Sequence, residues 1–379
     1  MSPLIQNRES ERGGITAFIA IFVSTLLLFG SIALIVDSGV VYLERRTVVN
    51  AAQTAALAMA RECIESPTTC ASSQVAQQYA NANSEDGKTA ISEICITGKT
   101  PAGGNCRVLT DNKIDCAPVP TTASRFVRIR TRSQSNESAI GVRTYFSRSN
   151  SQSLAGCAQA RWGNASSASV YVPFAVSICE WARQKSLPRV LVQYTSSGGT
   201  ADCQVQYQDS GNTYTLSGIN GWATLDLKSA LLPASARSNV YCPNPNIDQP
   251  ASLKIGYELS PLINSQSSQT FCGDGNLASK MSPWLNQTLY IPLVSTQKLS
   301  GNSTIHRIQA FAAFKLLGYA LLKGQGNAST FGGTYPSGNW CPNNNSCIYG
   351  EFISTYSPNS EISDVPGVPN VGLQAIELF

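Results

Sequence analysis

Residues 13–36 read GGITAFIAIFVSTLLLFGSIALIV, a stretch without a charged side chain. As an α-helix it would be about 36 Å long, which exceeds the ~30 Å hydrocarbon core of a membrane. Arg12 precedes the stretch and Asp37 follows it. We therefore expect a transmembrane helix over residues 13–37. A cleaved signal peptide is the alternative, although the apolar core of a signal peptide is typically only ~7–15 residues long.

The residues after this span favour continued helix. No proline occurs between residues 13 and 62, and residues 51–60 read AAQTAALAMA, a run of high helix propensity. The simplest prediction is one helix from about Ile15 to Glu62. Residues 38–62 would form a helical extension of the anchor, packed on the body through small side chains. Gly39 is the position at which a break is the alternative.

All twelve cysteines follow the span, beginning at Cys63. Their even number and the lack of any CxxC spacing point to disulfides rather than to zinc ribbons or thioredoxin-like motifs. The single span predicts a single-pass protein of the cell membrane. Because disulfides persist in oxidising compartments, we expect the part of the chain that carries the cysteines to lie outside the cytoplasm. Residues 1–12 would be a short cytoplasmic N-terminus, and the body would be extracytoplasmic. Charge alone does not decide the orientation, since two arginines flank the span on either side.

Two pairs of cysteines are spaced for local disulfides. Cys63 and Cys70 flank a short loop that contains Pro67, while Cys341 and Cys347 flank the sequence PNNNS. Both spacings suit bridges that close a loop. Longer-range pairing with the other eight cysteines is the alternative, and spacing does not decide between the two.

The composition excludes several classes of protein. Charged residues make up 13% of the chain, against about 25% on average. The net charge is +4 and the basic residues are dispersed, unlike the basic patch of a nucleic-acid-binding protein. His306 is the single histidine, so a metal site with two histidines is excluded. We expect no catalytic residue, metal, cofactor or small-molecule substrate, and a structural role for His306.

The body, residues 63–379, shows the short alternating runs of apolar and polar residues that are typical of strands. The clearest runs are residues 126–131, 169–172, 190–194, 203–207, 213–216, 253–257, 289–294 and 372–379. They predict an α+β protein in which the long helix precedes a β-rich domain, either a sandwich or an irregular barrel. The serine-rich residues 147–153 suggest an N-terminal lobe, 63–150, and a larger lobe, 151–379. Residues 305–322 fit helix and strand about equally well.

An ordered set of residues around the span resembles a known family. The set consists of Arg12, Gly13 and Gly14, the apolar span, Asp37, Tyr42, Arg45 and Arg46, and the run Asn50–Ala58. It resembles the amino-terminal region of the TadE/TadG-like group of Tad (Flp) pilus-assembly proteins. The body resembles the actinobacterial branch of that group at residues 173–180, 303–323, 347–352 and 371–379. On this resemblance we predict strand rather than helix for residues 305–322.

The sequence also departs from the family pattern. Gln53 and Thr54 stand where the family usually has Asp-Ala, and Ile19 stands where a prepilin peptidase favours Glu. Some larger members carry a von Willebrand type A domain with a DxSxS metal site. This sequence contains no such motif, so we predict none of that domain's metal chemistry.

The resemblance implies a non-enzymatic, membrane-anchored component of a pilus assembly apparatus, either minor pilin-like or an envelope anchor. Its partners would be the membrane and pilus subunits or other assembly proteins. The residues of the set are then the candidates for anchoring and interaction. Asp37 would pair with a cation or the N-terminus of a neighbouring subunit or, alternatively, end the span as a solvated residue. Two other functions stay open: a membrane-tethered adhesin or ligand-binding module, and an extracytoplasmic carboxylate-dependent hydrolase.

Overall fold

The computed structural model of the 379-residue chain describes residues 10–70, 74–84, 89–96, 116, 125–133, 154–193, 202–209, 212–219, 221–237, 250–260, 281–298, 304–322, 329–333, 341, 346–363 and 368–379. It begins with one long helix, α1, Ser10–Glu65. The helix continues through Gly39 without a break, which confirms the predicted continuous helix. The predicted N-terminal segment 1–12 lies outside the described residues except for its last three.

The two halves of α1 lie in different surroundings. Its first half is long and apolar enough to cross a membrane, and the most apolar window is not buried by the rest of the chain. Phe18 is 81% exposed and Leu34 is 70% exposed. From Val48 onward, one face of the helix is fully buried. A helix that is apolar all round and packs on nothing is what a lipid environment accommodates.

The described residues after α1 are rich in strands and include two short α-helices. The helices are α2, Val75–Ala82, and α3, Ile178–Gln184. The strands are β1 Thr89–Ile96, β2 Phe126–Ser133, β3 Ala155–Asn164, β4 Ser167–Val170, β5 Phe174–Ser177, β6 Val190–Gln193, β7 Asp202–Asp209, β8 Asn212–Ile219, β9 Trp222–Thr224, β10 Ala251–Lys254, β11 Glu258–Leu259, β12 Thr288–Lys298, β13 Thr304–Leu322, β14 Ser329–Gly333, β15 Cys347–Ile353, β16 Thr355–Tyr356 and β17 Leu373–Leu378.

These strands form two larger sheets, which curl, and two small ribbons. The five-stranded sheet has the order β1-β2-β3-β17-β16. The eight-stranded sheet follows β6-β15-β13-β12-β5-β9, with β11 and β14 also paired to β13. The ribbons are β4 with β10 and β7 with β8. The predicted class, a long apolar helix followed by a β-rich region, is therefore confirmed.

The strand β13 is the centre of the eight-stranded sheet. It pairs antiparallel with β12 along its N-terminal two thirds and with β15 along its C-terminal part. The register with β15 shifts between Leu316 and Gly318. Most residues on both faces of β13 are buried, which explains why its sequence lacks the alternation of a half-exposed strand. The prediction of strand for residues 305–322 is confirmed.

The five-stranded sheet crosses the lobe boundary that the sequence suggested at residues 147–153. Strand β2, from the expected N-terminal lobe, pairs antiparallel with β3 from the expected larger lobe. The next strand in the sheet, β17, comes from the end of the chain. The residue composition of a loop marks an exposed connection, but it does not show whether the strands on either side of that connection pair with each other. Residues 63–150 and 151–379 thus share a sheet.

Candidate functional site: the anchor helix and its junction with the body

The second half of α1 packs on the five-stranded sheet through very small side chains. Seven residues on one face of the helix are 0% exposed, and five of them are alanines: Val48, Ala51, Ala52, Ala55, Ala56, Met59 and Ala60. They recur at three- and four-residue intervals, which places them on a single face. The opposing residues come mainly from β2 and β3: Val127, Ile129, Ala158, Ala160 and Trp162. We call this contact the junction, because it joins the apolar span to the body.

The helix backbone approaches the sheet closely at Val48. The hydroxyl of Thr131, on β2, donates a buried hydrogen bond of 2.8 Å to the Val48 carbonyl oxygen. A Cβ added to Gly156, on β3, would lie 2.7 Å from that oxygen and 2.9 Å from the Thr131 hydroxyl. Only glycine therefore fits at position 156 while α1 stays this close to the five-stranded sheet.

The C-terminal end of α1 is held by a disulfide and by a contact with β16. Cys63 bonds to Cys70, with 4.9 Å between the Cα atoms, and this bridge closes the turn that leads toward α2. Two buried alanines of α2, Ala76 and Ala80, pack in the same core as α1. The Arg61 guanidinium lies 5.0 Å from the centre of the Tyr356 ring. The C-terminal end of α1 is thus fixed to α2 and to β16.

The candidate anchor residues lie along α1 and do not converge on one pocket. Tyr42 is 66% exposed, and Arg45 and Arg46 are also exposed. Their i, i+3, i+4 spacing places these three side chains close together on the helix surface. Gly14 is exposed, with no atom within 4 Å of an added Cβ. Arg12 and Gly13 belong to α1, and their surroundings lie outside what the structure describes.

Asp37 lies where the apolar span ends, but it is not the solvated residue that one of the two interpretations expected. It is 9% exposed, whereas Ile35 is 69% exposed and Val36 is 40% exposed. A carboxylate is rarely buried unless it has a polar or charged partner. This burial argues against the solvated interpretation of Asp37, and its pairing with a neighbouring subunit stays a prediction.

The disulfides include both pairs that the sequence predicted and two that it did not. Cys341 bonds to Cys347 as Cys63 does to Cys70. Cys116 bonds to Cys157, and Cys179 on α3 bonds to Cys203 on β7. Cys95 is also disulfide-bonded. Among the residues that the structure describes, no cysteine is free.

His306 is part of the core of the eight-stranded sheet. It is 0% exposed, and its Nδ1 lies 3.1 Å from the Thr296 hydroxyl oxygen. Its Nε2 has no hydrogen-bond partner among the described residues. Burial lowers the pKa of the imidazole from 6.5 to about 4, so the ring is neutral at physiological pH. These contacts agree with the structural role that the sequence predicted.

This histidine makes the stability of the body depend on pH. Between pH 6.5 and about 4 the unfolded chain binds a proton at His306 that the folded chain does not bind. The free energy of unfolding therefore falls as the pH is lowered through this window, by roughly 3 kcal/mol once the pH is below both values. We expect urea unfolding at pH 7.5 and 4.5 to show most of this loss. His306→Asn should lose less stability than the wild type over the same interval, and equal losses would contradict the assignment.

Two cavities adjoin the junction. The first, of about 330 Å³, lies between the end of α1, both larger sheets and α3, and we call it the junction cavity. The second is a groove of about 470 Å³ between α1, α2 and the β16–β17 edge of the five-stranded sheet, lined by residues that include Leu57, Tyr79 and Tyr356. Neither is lined by an aspartate or glutamate among the described residues. In that part of the chain there is also no cluster of three histidine, cysteine or acidic residues that could bind a metal.

Sequence reasoning did not find the junction cavity. Its walls come from residues as distant in the chain as Arg125, Lys185 and Gln374. No local motif connects these positions, since tertiary packing alone brings them together. Comparison with models of known protein families, with curated proteins and with solved structures finds no match for this chain.

Proposed function

We propose that this protein is a non-enzymatic, membrane-anchored component of a Tad/Flp-type pilus assembly apparatus, either minor pilin-like or an envelope anchor. The observation that carries the proposal is the uninterrupted α1, whose 56 residues would extend over roughly 84 Å. The same helix contains the apolar span and the buried face of the junction. Such a helix transmits position and force between a membrane and a folded body without a hinge.

The orientation proposed from the sequence places the N-terminus in the cytoplasm and the body outside the membrane. The four complete disulfides of the described chain, together with Cys95, support this orientation because such bonds persist in oxidising compartments. All of them lie after the apolar span. The partners would be pilus subunits or other assembly proteins. Exposed apolar residues of α1 beyond the span, such as Leu43 and Leu57, offer them a surface.

The disulfides give a direct test of the compartment. We expect non-reducing peptide mapping of the protein from its native membrane to recover the pairs Cys63–Cys70, Cys116–Cys157, Cys179–Cys203 and Cys341–Cys347. The same protein produced in a reducing cytoplasm serves as the control and should carry free thiols at these positions. Recovery of free thiols from the native membrane as well would contradict an extracytoplasmic body.

The pilus role is tested by deleting the gene in its native host and counting surface filaments by electron microscopy. We expect the deletion strain to lack pili and the complemented strain to regain them. Normal piliation in the deletion strain would overturn the assembly role.

A membrane-tethered ligand-binding module is the second candidate function. The junction cavity favours it, because a cavity of this volume lies at the lower end of the ~300–1,000 Å³ range of small-molecule sites. The two functions are compatible, since an anchored component of an assembly apparatus can also bind a ligand.

A further inference from the structure

The junction cavity lies where the principal elements of the protein meet. The end of α1, near Ile64, forms one wall, and Trp162 of β3 and Gln374 of β17 form the next. Trp181 of α3, Tyr207 of β7 and Phe352 of β15, a strand of the eight-stranded sheet, complete the lining. Binding cavities occur preferentially between packed structural units, and this one has walls from a helix and from both larger sheets.

The charge of the cavity is positive. Lys185 supplies this charge, and no acidic residue lines the cavity within the described residues. The Lys185 ammonium lies 4.2 Å from the centre of the Tyr207 ring and 5.1 Å from that of Trp181, and it donates a hydrogen bond to the Tyr207 hydroxyl. These rings hold the ammonium in place without neutralising it.

The nearest acidic residue on α3 is engaged with other groups. Glu180 forms an ion pair with Arg183 at 3.4 Å and accepts a hydrogen bond from Gln184. Among the described contacts of Lys185 there is no carboxylate. Its charge is therefore available to an anionic ligand in the cavity.

The remaining walls combine aromatic rings with amides. Trp162, Trp181 and Tyr207 present ring surface, while Asn370 and Gln374 add side-chain amides. Gln374 is 6% exposed, and its Oε1 has no hydrogen-bond partner in the described structure. A buried acceptor without a donor costs free energy until a donor reaches it. A ligand hydroxyl is a donor of the required kind.

We propose that the junction cavity binds an anionic saccharide, a sugar ring that carries a carboxylate or a phosphate group. The anionic group would pair with Lys185, the C–H face of the ring would pack on the tryptophan and tyrosine rings, and the hydroxyls would bond to the amides. The Lys185 ammonium alone would bind any anion, and aromatic walls alone would bind any apolar ring. The combination selects a ligand that has both a charged group and a partly apolar ring. This binding role goes beyond pilus assembly and does not depend on it.

The test uses the full-length chain in detergent micelles and follows tryptophan fluorescence during titration, because two tryptophans line the cavity. The probes are glucuronate, glucose 6-phosphate, glucose and inorganic phosphate. We expect one or both of the charged sugars to bind more tightly than glucose and than phosphate; which of them binds identifies the anionic group. Failure of both charged sugars to bind would overturn the proposal. Equal affinity for glucose, or for phosphate alone, would overturn it as well.

Variants then locate the site. Lys185→Gln should weaken binding of the charged sugar at least about tenfold, the usual effect of losing a charged hydrogen-bond partner. Lys254→Gln, on an exposed position of β10 away from the cavity, is the matched control and should leave affinity unchanged. Thermal unfolding of both variants checks that they fold. Unchanged affinity in folded Lys185→Gln would overturn the assignment of the cavity.

Discussion

Gly156→Ala is expected to lift the anchor helix from the five-stranded sheet and to lower the free energy of unfolding by about 2–3 kcal/mol, a typical cost of overpacking a rigid site. The new methyl group would lie 2.7 Å from the Val48 carbonyl oxygen and 2.8 Å from its carbon. Both atoms belong to a helix backbone, which cannot rotate away as a side chain can. The helix has to move outward, and the hydrogen bond from Thr131 is then stretched or lost.

Gly163→Ala, at the other end of the same strand, is the matched control. Its added methyl group would lie 2.8 Å from Cγ2 of Ile362, the end of a flexible side chain. Rotation of that side chain relieves the contact, so we expect a loss below about 1 kcal/mol. Chemical unfolding of the full-length proteins in detergent, followed by near-ultraviolet circular dichroism, measures both losses. Equal stability of the two variants would show that the close approach of α1 to the sheet at Val48 does not require Gly156.

The long helix was predictable because its determinants are local. An uncharged span, the absence of proline and an alanine-rich run each act within a few residues of one another, so the sequence alone predicts α1 almost to its ends. Strands with clear alternation, such as β2 and the β7–β8 pair, were predictable for the same reason. Periodicity did not distinguish strand from helix for β13, because both faces of this strand are buried. The prediction of strand came from the family resemblance instead.

Strand β3 shows why other elements could not be predicted. Its sequence, AGCAQARWGN, is rich in small residues that have weak β propensity. The structure gives the reason: Gly156, Ala158 and Ala160 lie beneath α1, where larger side chains would hold the helix away. A requirement set by a distant helix overrides the local preference, so no pattern within the strand reveals it.

The same limit applies to the disulfides and to the candidate binding site. The pairs Cys63–Cys70 and Cys341–Cys347 are separated by seven and six residues, so spacing suggested them. Cys116 and Cys157 are 41 residues apart and become neighbours only through the fold. The cavity residues Arg125, Lys185 and Gln374 likewise become neighbours only through the fold.

Leu43→Pro is expected to abolish piliation while leaving the protein in the membrane with a folded body. Leu43 lies between the apolar span and Val48, and its side chain is 57% exposed, so the substitution removes little packing. Proline at this position removes the hydrogen bond to the Gly39 carbonyl and kinks the helix, at a cost of about 3 kcal/mol. If the body must be held in a fixed direction relative to the membrane, a kink here disconnects the two halves of α1.

Leu43→Ala is the control for this experiment, because it shortens the same side chain and preserves the helix. Filament counts by electron microscopy give the functional readout for both variants. Membrane fractionation and the disulfide map show whether the body is inserted and folded. Normal piliation in Leu43→Pro would mean that α1 acts only as a tether. Loss of filaments in Leu43→Ala as well would assign the effect to the exposed side chain, and hence to a partner that binds this surface of the helix rather than to the continuity of its backbone.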